Sequence, residues 1–169
     1  MKIETIENIF NFLEDKEGKK ITESVLYSIK KLKLIKELEN HPDGTQYRYE
    51  GDLYLINSII RKLPNDLYVT GNCYLEDSYQ LKVLPIKLHV GGSLDLANCV
   101  YITELPDNLY VGNNLSLHST KISNFPNNLY VETDIYLYNT PLAKKYTTYN
   151  QMLKILKSTG GKINGTIHI

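Results

Sequence analysis

One phrase returns along this chain at a near-constant interval. Leu-Pro or Phe-Pro stands at 63–64, 84–85, 105–106 and 125–126, at spacings of 21, 21 and 20 residues. Three residues after each proline comes leucine (Leu67, Leu88, Leu109, Leu129), and two further on comes valine (Val69, Val90, Val111, Val131). Four residues beyond each valine sit Cys73, Leu94, Leu115 and Ile135, each followed two later by leucine. An earlier copy supplies Tyr49, Gly51, Leu53 and Leu55. Two copies carry one extra residue, and it falls in the same place, after Ser78 and after Cys99. A stacked structure with a loop at that position tolerates such an insertion.

Each part of the unit has a physical reason. Val-x-Gly-x-Leu-x-Leu has a period of two, which puts the four named residues on one face of an extended chain. Proline lacks an N–H and fixes φ, so it marks where the chain leaves a sheet and turns. Glycine permits a bend or a close backbone approach that a side chain would block. A unit of this length cannot bury its apolar face alone, whereas stacked copies make one continuous core. The repeat predicts a solenoid.

The segment Leu-x-Leu-x-x-(Asn/Cys/Ser/Thr)-x-Ile-x-x-Leu-Pro resembles a leucine-rich repeat, close to the short bacterial-effector class with Leu-Pro turns. The likeness covers residues 49–142 and is similar to that of uncharacterised phage-encoded leucine-rich proteins. It implies an α/β repeat solenoid with a parallel sheet. Ser58, Ser78, Cys99, Thr120 and Thr140 occupy the column where that family stacks a hydrogen-bonding asparagine ladder. The departure is the extra Leu-x-Val-x-Gly segment, which leaves open a flatter, β-helix-like coil. Some effector-class members carry a separate ubiquitin-ligase domain, and nothing of that size follows residue 142, so that activity is not carried over.

Composition narrows the function classes. Lys and Arg number 19 against 19 Asp and Glu, so no global charge draws the chain to nucleic acid or an anionic membrane. Residues 51–140 carry five basic against nine acidic residues, and 141–169 carry five Lys and no acid. No apolar run nears the ~20 residues that span a bilayer, and MKIETIENIF lacks the pattern of a signal peptide. Cys73 and Cys99 form no disulfide framework or metal-ligand spacing, which points to a reducing cytoplasm and buried structural thiols. The sequons at Asn114 and Asn164 then carry no meaning. Abundant Asn, Ile, Lys and Tyr, no Trp, and Ala only at 97 and 143 suggest an AT-rich genome, as in some bacteria and many of their phages.

The ends read as caps. Residues 1–48 are expected to form a helical and hairpin cap, 49–142 the repeats, and 143–169 a helix-and-strand cap. Ile3, Ile6, Phe10 and Leu13 fall at helical spacing over 3–14. A second helix after Thr22 would bury Val25, Leu26, Ile29 and Leu32. LKLIKELENHPDGTQYRYEG then reads as strand, turn, strand. Helices followed by a hairpin also describe a winged helix, yet residues 1–50 hold nine basic and ten acidic residues, the wrong balance for phosphate contacts. Near the other end Tyr149, Met152, Leu153 and Leu156 mark a helix ending at Gly160-Gly161, and Ile163-x-Gly165-x-Ile167-x-Ile169 repeats the strand formula. Lys144, Lys145, Lys154, Lys157 and Lys162 form a basic patch or a solvated helix face.

If the Val, Gly and Leu positions point inward, the residues between them form outward columns. One reads Asp52, Asn72, Ser93, Asn114, Asp134; the next Tyr54, Tyr74, Asp95, Ser116, Tyr136; a third Ile56, Glu76, Ala97, His118, Tyr138. Tyrosine with short polar residues suits a recognition surface, and it also suits strand pairing for its own sake. The expected partner-binding set is Asp52, Tyr54, Asn72, Tyr74, Asp95, Asn114, Ser116, His118, Asp134, Tyr136 and Tyr138. Tyr68, His89, Tyr110 and Tyr130 are expected to form a structural ladder on another side. Asp95, Ser116 and His118 raise the idea of acyl transfer, but an open sheet offers no pocket or oxyanion hole. The sequence therefore points to a non-enzymatic module that binds a protein partner, with no cofactor or metal. The alternatives are nucleic-acid binding through the N-terminal helices or C-terminal lysines, and a structural part of a virion. A phage origin would make a host protein, including a defence component, the natural target.

Overall fold

The structure is a computed structural model that describes residues 23–169. The chain divides into two compact units, Met1–Asn40 and His41–Ile169. In the first, α1 (Glu23–Glu39) buries Ile29, Ile35 and Leu38, whereas Val25 is exposed. The expected helix over 3–14 lies outside the described residues. Of the strand-turn-strand expected over 32–51, the turn at Asp43-Gly44 and the second strand (Gln46–Tyr49) form, but the first strand does not. Residues 31–39 continue α1, because Lys, Leu and Glu favour a helix and nothing breaks it before His41-Pro42. The winged-helix pattern thus lacks its hairpin.

The second unit is a parallel-strand β-solenoid. Its short strands are β1 (Gln46–Tyr49), β2 (Leu53–Tyr54), β3 (Asp66–Val69), β4 (Cys73–Tyr74), β5 (Lys87–Val90) and β6 (Leu94–Asp95). They continue with β7 (Tyr110–Val111), β8 (Leu115–Ser116), β9 (Tyr130–Val131) and β10 (Ile135–Tyr136). After α2 (Pro141–Lys145) and α3 (Tyr149–Ser158) come β11 (Lys162–Ile163) and β12 (Ile167–His168). The odd strands form one six-stranded sheet and the even strands another, each in sequence order. All pairs are parallel, and Leu67 meets Leu88 as Leu94 meets Leu115, so the register follows the repeat.

The single sheet expected from the unbroken Val-x-Gly-x-Leu alternation is divided in two. Each coil with a Val column pairs the segment ending at that valine in the odd sheet, bends at the position held by Gly71, Gly92, Asn113 or Thr133, and pairs the next segment in the even sheet. Inward positions remain inward on both sides of the bend: Leu67, Val69, Cys73 and Leu75 are all fully or almost fully buried. Between Gln46 and Thr140 no helix occurs among the described residues, so the repeat itself is built of strand and turn.

Past the even sheet each coil makes a tight turn. Ser78, Cys99, Thr120 and Thr140 donate their N–H groups to Leu75, Leu96, Leu117 and Leu137 three residues back. The residue just before, Asp77, Asn98, Ser119 or Asn139, has φ between 57° and 60°, a left-handed conformation that Asn and Asp tolerate best. The two inserted residues lie here, in turns at Tyr79–Gln80 and Val100–Tyr101, while Leu81 and Ile102 keep their buried places. A last coil follows α3, where β11 pairs with β9 and β12 with β10. Thr148 caps α3 by accepting the Gln151 N–H, and Met152 and Leu156 are buried. Among the described residues no helix is long and apolar enough to cross a membrane.

Candidate functional site

The column Asp52, Asn72, Ser93, Asn114, Asp134 was expected to face a partner. It lies at the bend between the sheets and is engaged along the solenoid. Asp52 Oδ1 accepts the Asn72 N–H at 2.7 Å, and Asn72 Oδ1 accepts the Ser93 N–H at 2.7 Å. Ser93 Oγ accepts from Asn114 at 3.4 Å, Asn114 Oδ1 from Asp134 at 3.1 Å, and Asp134 Oδ1 from the Thr166 N–H at 2.8 Å. Each side chain thus satisfies a backbone donor of the next coil. The Asn72 N–H bond foremost holds the Asp52 carboxyl below the usual aspartate range. The Thr166 N–H, and then His168, do the same for Asp134. Glycine leaves room for this ladder: a Cβ at Gly71 would lie 2.3 Å from Asp52 Oδ1, and one at Gly92 2.4 Å from Asn72 Oδ1.

The column Ser58, Ser78, Cys99, Thr120, Thr140 forms a second, buried set. Ser58 and Ser78 hydroxyls meet at 3.1 Å, and Ser78 Oγ donates to Leu55 O of the preceding coil at 2.9 Å. Cys99 Sγ donates likewise to Leu75 O at 3.1 Å. Thr120 and Thr140 instead donate within their own turns, to Leu117 O and Leu137 O. Burial pushes the Cys73 thiol up to about 12 and the Cys99 thiol up to about 11, so both stay protonated at neutral pH.

On the odd sheet the outward row is continuous. The Arg48 guanidinium lies 4.4 Å from the centre of the Tyr68 ring, Tyr68 stacks on His89 at 4.2 Å, and His89 on Tyr110 at 4.3 Å. Tyr110 stacks on Tyr130 at 5.1 Å and 2° between planes. Tyr130 donates to Glu132, and Lys162 is its register partner on β11. Burial, then Arg48, lowers the His89 pKa. An open groove of about 1020 Å³ runs beside this row, bordered by Tyr68, Val83, Ile86, His89, Glu104 and Asp107.

On the even sheet the outward row is interrupted. Tyr54 and Tyr74 stack at 5.0 Å and 17°, and Tyr136 and His168 stack at 4.6 Å and 6°. Asp95 and Ser116, register partners of each other, occupy the places between. The Tyr54 hydroxyl donates to Asp52 at 3.1 Å and Tyr136 to Asp134 at 3.4 Å, so both rings lean towards the ladder. Burial, then Asp134, raises the Tyr136 pKa. In the neighbouring column His118 packs edge-on against Tyr138 at 6.2 Å. Tyr54 and Tyr138 are 48% and 42% exposed, which leaves real area for contact.

Glu76 belongs to this face, and sequence reasoning passed over it although it shares the His118 column. Its Oε2 is buried without a hydrogen-bond partner among the described residues. Burial raises the pKa of its carboxyl, and the neighbouring Asp95 carboxyl adds to that. Asp95 Oδ1 accepts the Ala97 N–H at 2.9 Å. Asp95 and Ser116 are therefore adjacent, as the acyl-transfer idea requires, yet among the described residues no hydrogen bond joins Ser116 to His118. No group of three or more His, Cys, Asp or Glu among the described residues could hold a metal ion.

Compared with models of known protein families, with curated proteins and with solved structures, the chain matches none.

Proposed function

We propose that the chain is a non-enzymatic interaction module, a variant of the leucine-rich solenoid whose even sheet presents its outward face to a protein partner. One observation carries this reading. The even-sheet face sets exposed tyrosines, Tyr54 and Tyr138, beside Tyr74, Tyr136, Asp95 and Ser116, with no Lys or Arg in its columns. Rigid aromatic area with short polar neighbours is the composition that gives contact at low entropic cost. The ladder residues Asp52, Asn72, Ser93, Asn114 and Asp134 hold that face in register from its edge at the bend, and we read them as its support. We read α3 with β11 and β12 as the C-terminal cap, since Met152 and Leu156 close over the last coil.

A bacteriophage origin, with a host protein as target, fits the residue bias and stays within this proposal. The test is affinity capture from host lysate by the wild type and by Tyr54→Ala/Tyr74→Ala/Tyr136→Ala. Loss of one specific protein by the folded triple variant is the expected result. Equal recovery by both would move the interaction away from the even sheet.

A further inference from the structure

The interruption in the even-sheet row has a definite size. Tyr54 stacks on Tyr74 at nearly the strand spacing, so the ring normals run along the row, and the second face of Tyr74 looks towards Asp95. By the same reasoning the second face of Tyr136 looks back towards Ser116. Three strand steps separate the two tyrosines, about 14 Å at ~4.8 Å per step. The gap is a stack with two rungs missing, walled by two aromatic faces and floored by a carboxylate and a hydroxyl.

Charge selects what fits. The columns facing outward here hold Asp52, Glu76, Asp95 and Asp134 and no Lys or Arg. Beside the gap, Glu76 Oε2 is buried and lacks a donor among the described residues. Planar cations satisfy both demands, since a guanidinium stacks on an aromatic face and offers forked N–H donors to a carboxylate. On an extended chain, side chains at i and i+2 stand about 6.8 Å apart on one face. Two of them set in a gap of about 14 Å leave about 3.8 Å from each to its wall, a stacking distance.

Resting on the proposed binding face, we infer that the gap between Tyr74 and Tyr136 receives an extended Arg-x-Arg segment of the partner protein. One guanidinium lies on each tyrosine, and Asp95 and Glu76 pair with them from below. The spacing rule excludes Arg-x-x-Arg, whose side chains point to opposite faces of a strand. Lysine offers charge without a plane and fits the walls less well.

Ser116→Tyr restores one missing rung. It takes one of the two vacant places and covers the free face of Tyr136, and it suits a strand position flanked by Tyr136, so the fold is kept. The experiment titrates fluorescein-labelled Gly-Arg-Gly-Arg-Gly into the full chain and follows anisotropy, beside Gly-Arg-Gly-Gly-Arg-Gly and Gly-Lys-Gly-Lys-Gly. The Arg-x-Arg peptide should bind about tenfold tighter than either control and weaken about tenfold with Ser116→Tyr or Asp95→Asn. Equal binding of the three peptides, no binding by the folded chain, or indifference to Ser116→Tyr would overturn the inference. The captured host protein separates this from the broader reading. If Ser116→Tyr releases that protein while Arg-x-Arg peptides do not bind, the face stands and its arginine specificity fails. If the protein is retained by Ser116→Tyr and by the triple tyrosine variant alike, both fail.

Discussion

The two outward aromatic rows are built by the same repeat and differ in one respect. On the odd sheet Arg48, Tyr68, His89, Tyr110 and Tyr130 stack without a break, so each ring covers the faces of its neighbours. On the even sheet Asp95 and Ser116 interrupt the row, and Tyr74 and Tyr136 each keep a face towards the gap. A closed stack spends its aromatic surface on the fold. An open one leaves two ring faces uncovered. Composition alone would rank the rows equally; continuity distinguishes them.

Several substitutions would break or sharpen that contrast. Leu94→Ala empties a fully buried site in the core that both sheets share, and should lower unfolding free energy by about 2–5 kcal/mol in urea titration. A loss that large sets the scale for both rows. Asn72→Ala removes the acceptor for the Ser93 N–H at the bend and should destabilise by about 1–3 kcal/mol. If it were neutral, the ladder would be incidental to coil stacking. His89→Ala cuts the odd-sheet row on both sides and should cost about 1–3 kcal/mol, from two stacked contacts of ~0.5–1.5 kcal/mol each. Ser116→Tyr on the even sheet should leave the urea midpoint unchanged or slightly raised. The smallest effect is in pH dependence. Because the folded His89 pKa lies below its ordinary 6.5, the folded state binds fewer protons than the unfolded state between those values. Its contribution is complete above 6.5 and is lost as pH falls from 6.5 through the folded value. His89→Tyr, which keeps the stack, should abolish that component of the stability profile.

Much of this was legible in the sequence. The interval between Leu-Pro pairs gave the coil, the inward Leu and Val columns gave the core, and the tolerated insertion marked the turn at Tyr79 and Tyr101. What was not legible is how one alternating run is shared between two sheets. Period-two alternation reads the same whether a strand continues or bends, and the bend shows only in the pairing of the strands into two separate sheets. Also not legible was that Asp52, Asn72 and Asp134, expected to face a partner, hydrogen-bond the backbone of the next coil at this bend. Their shortness was the signal, since Asp, Asn and Ser reach a neighbouring backbone N–H better than they reach a partner. The hairpin expected before residue 50 failed for a different reason: Ile35 and Leu38 serve a helix face as well as a strand, and length decides between them.

The most direct test is a crossed experiment that reads stability and partner capture together, comparing Tyr74→Ala/Tyr136→Ala with Tyr68→Ala/Tyr110→Ala at a temperature where all variants are folded. The two rows are assigned opposite roles, so the even-sheet pair should lose the captured protein with little change in melting temperature. The odd-sheet pair should melt earlier and still capture it. Capture lost through the odd-sheet pair and kept by the even-sheet pair would contradict the assignment.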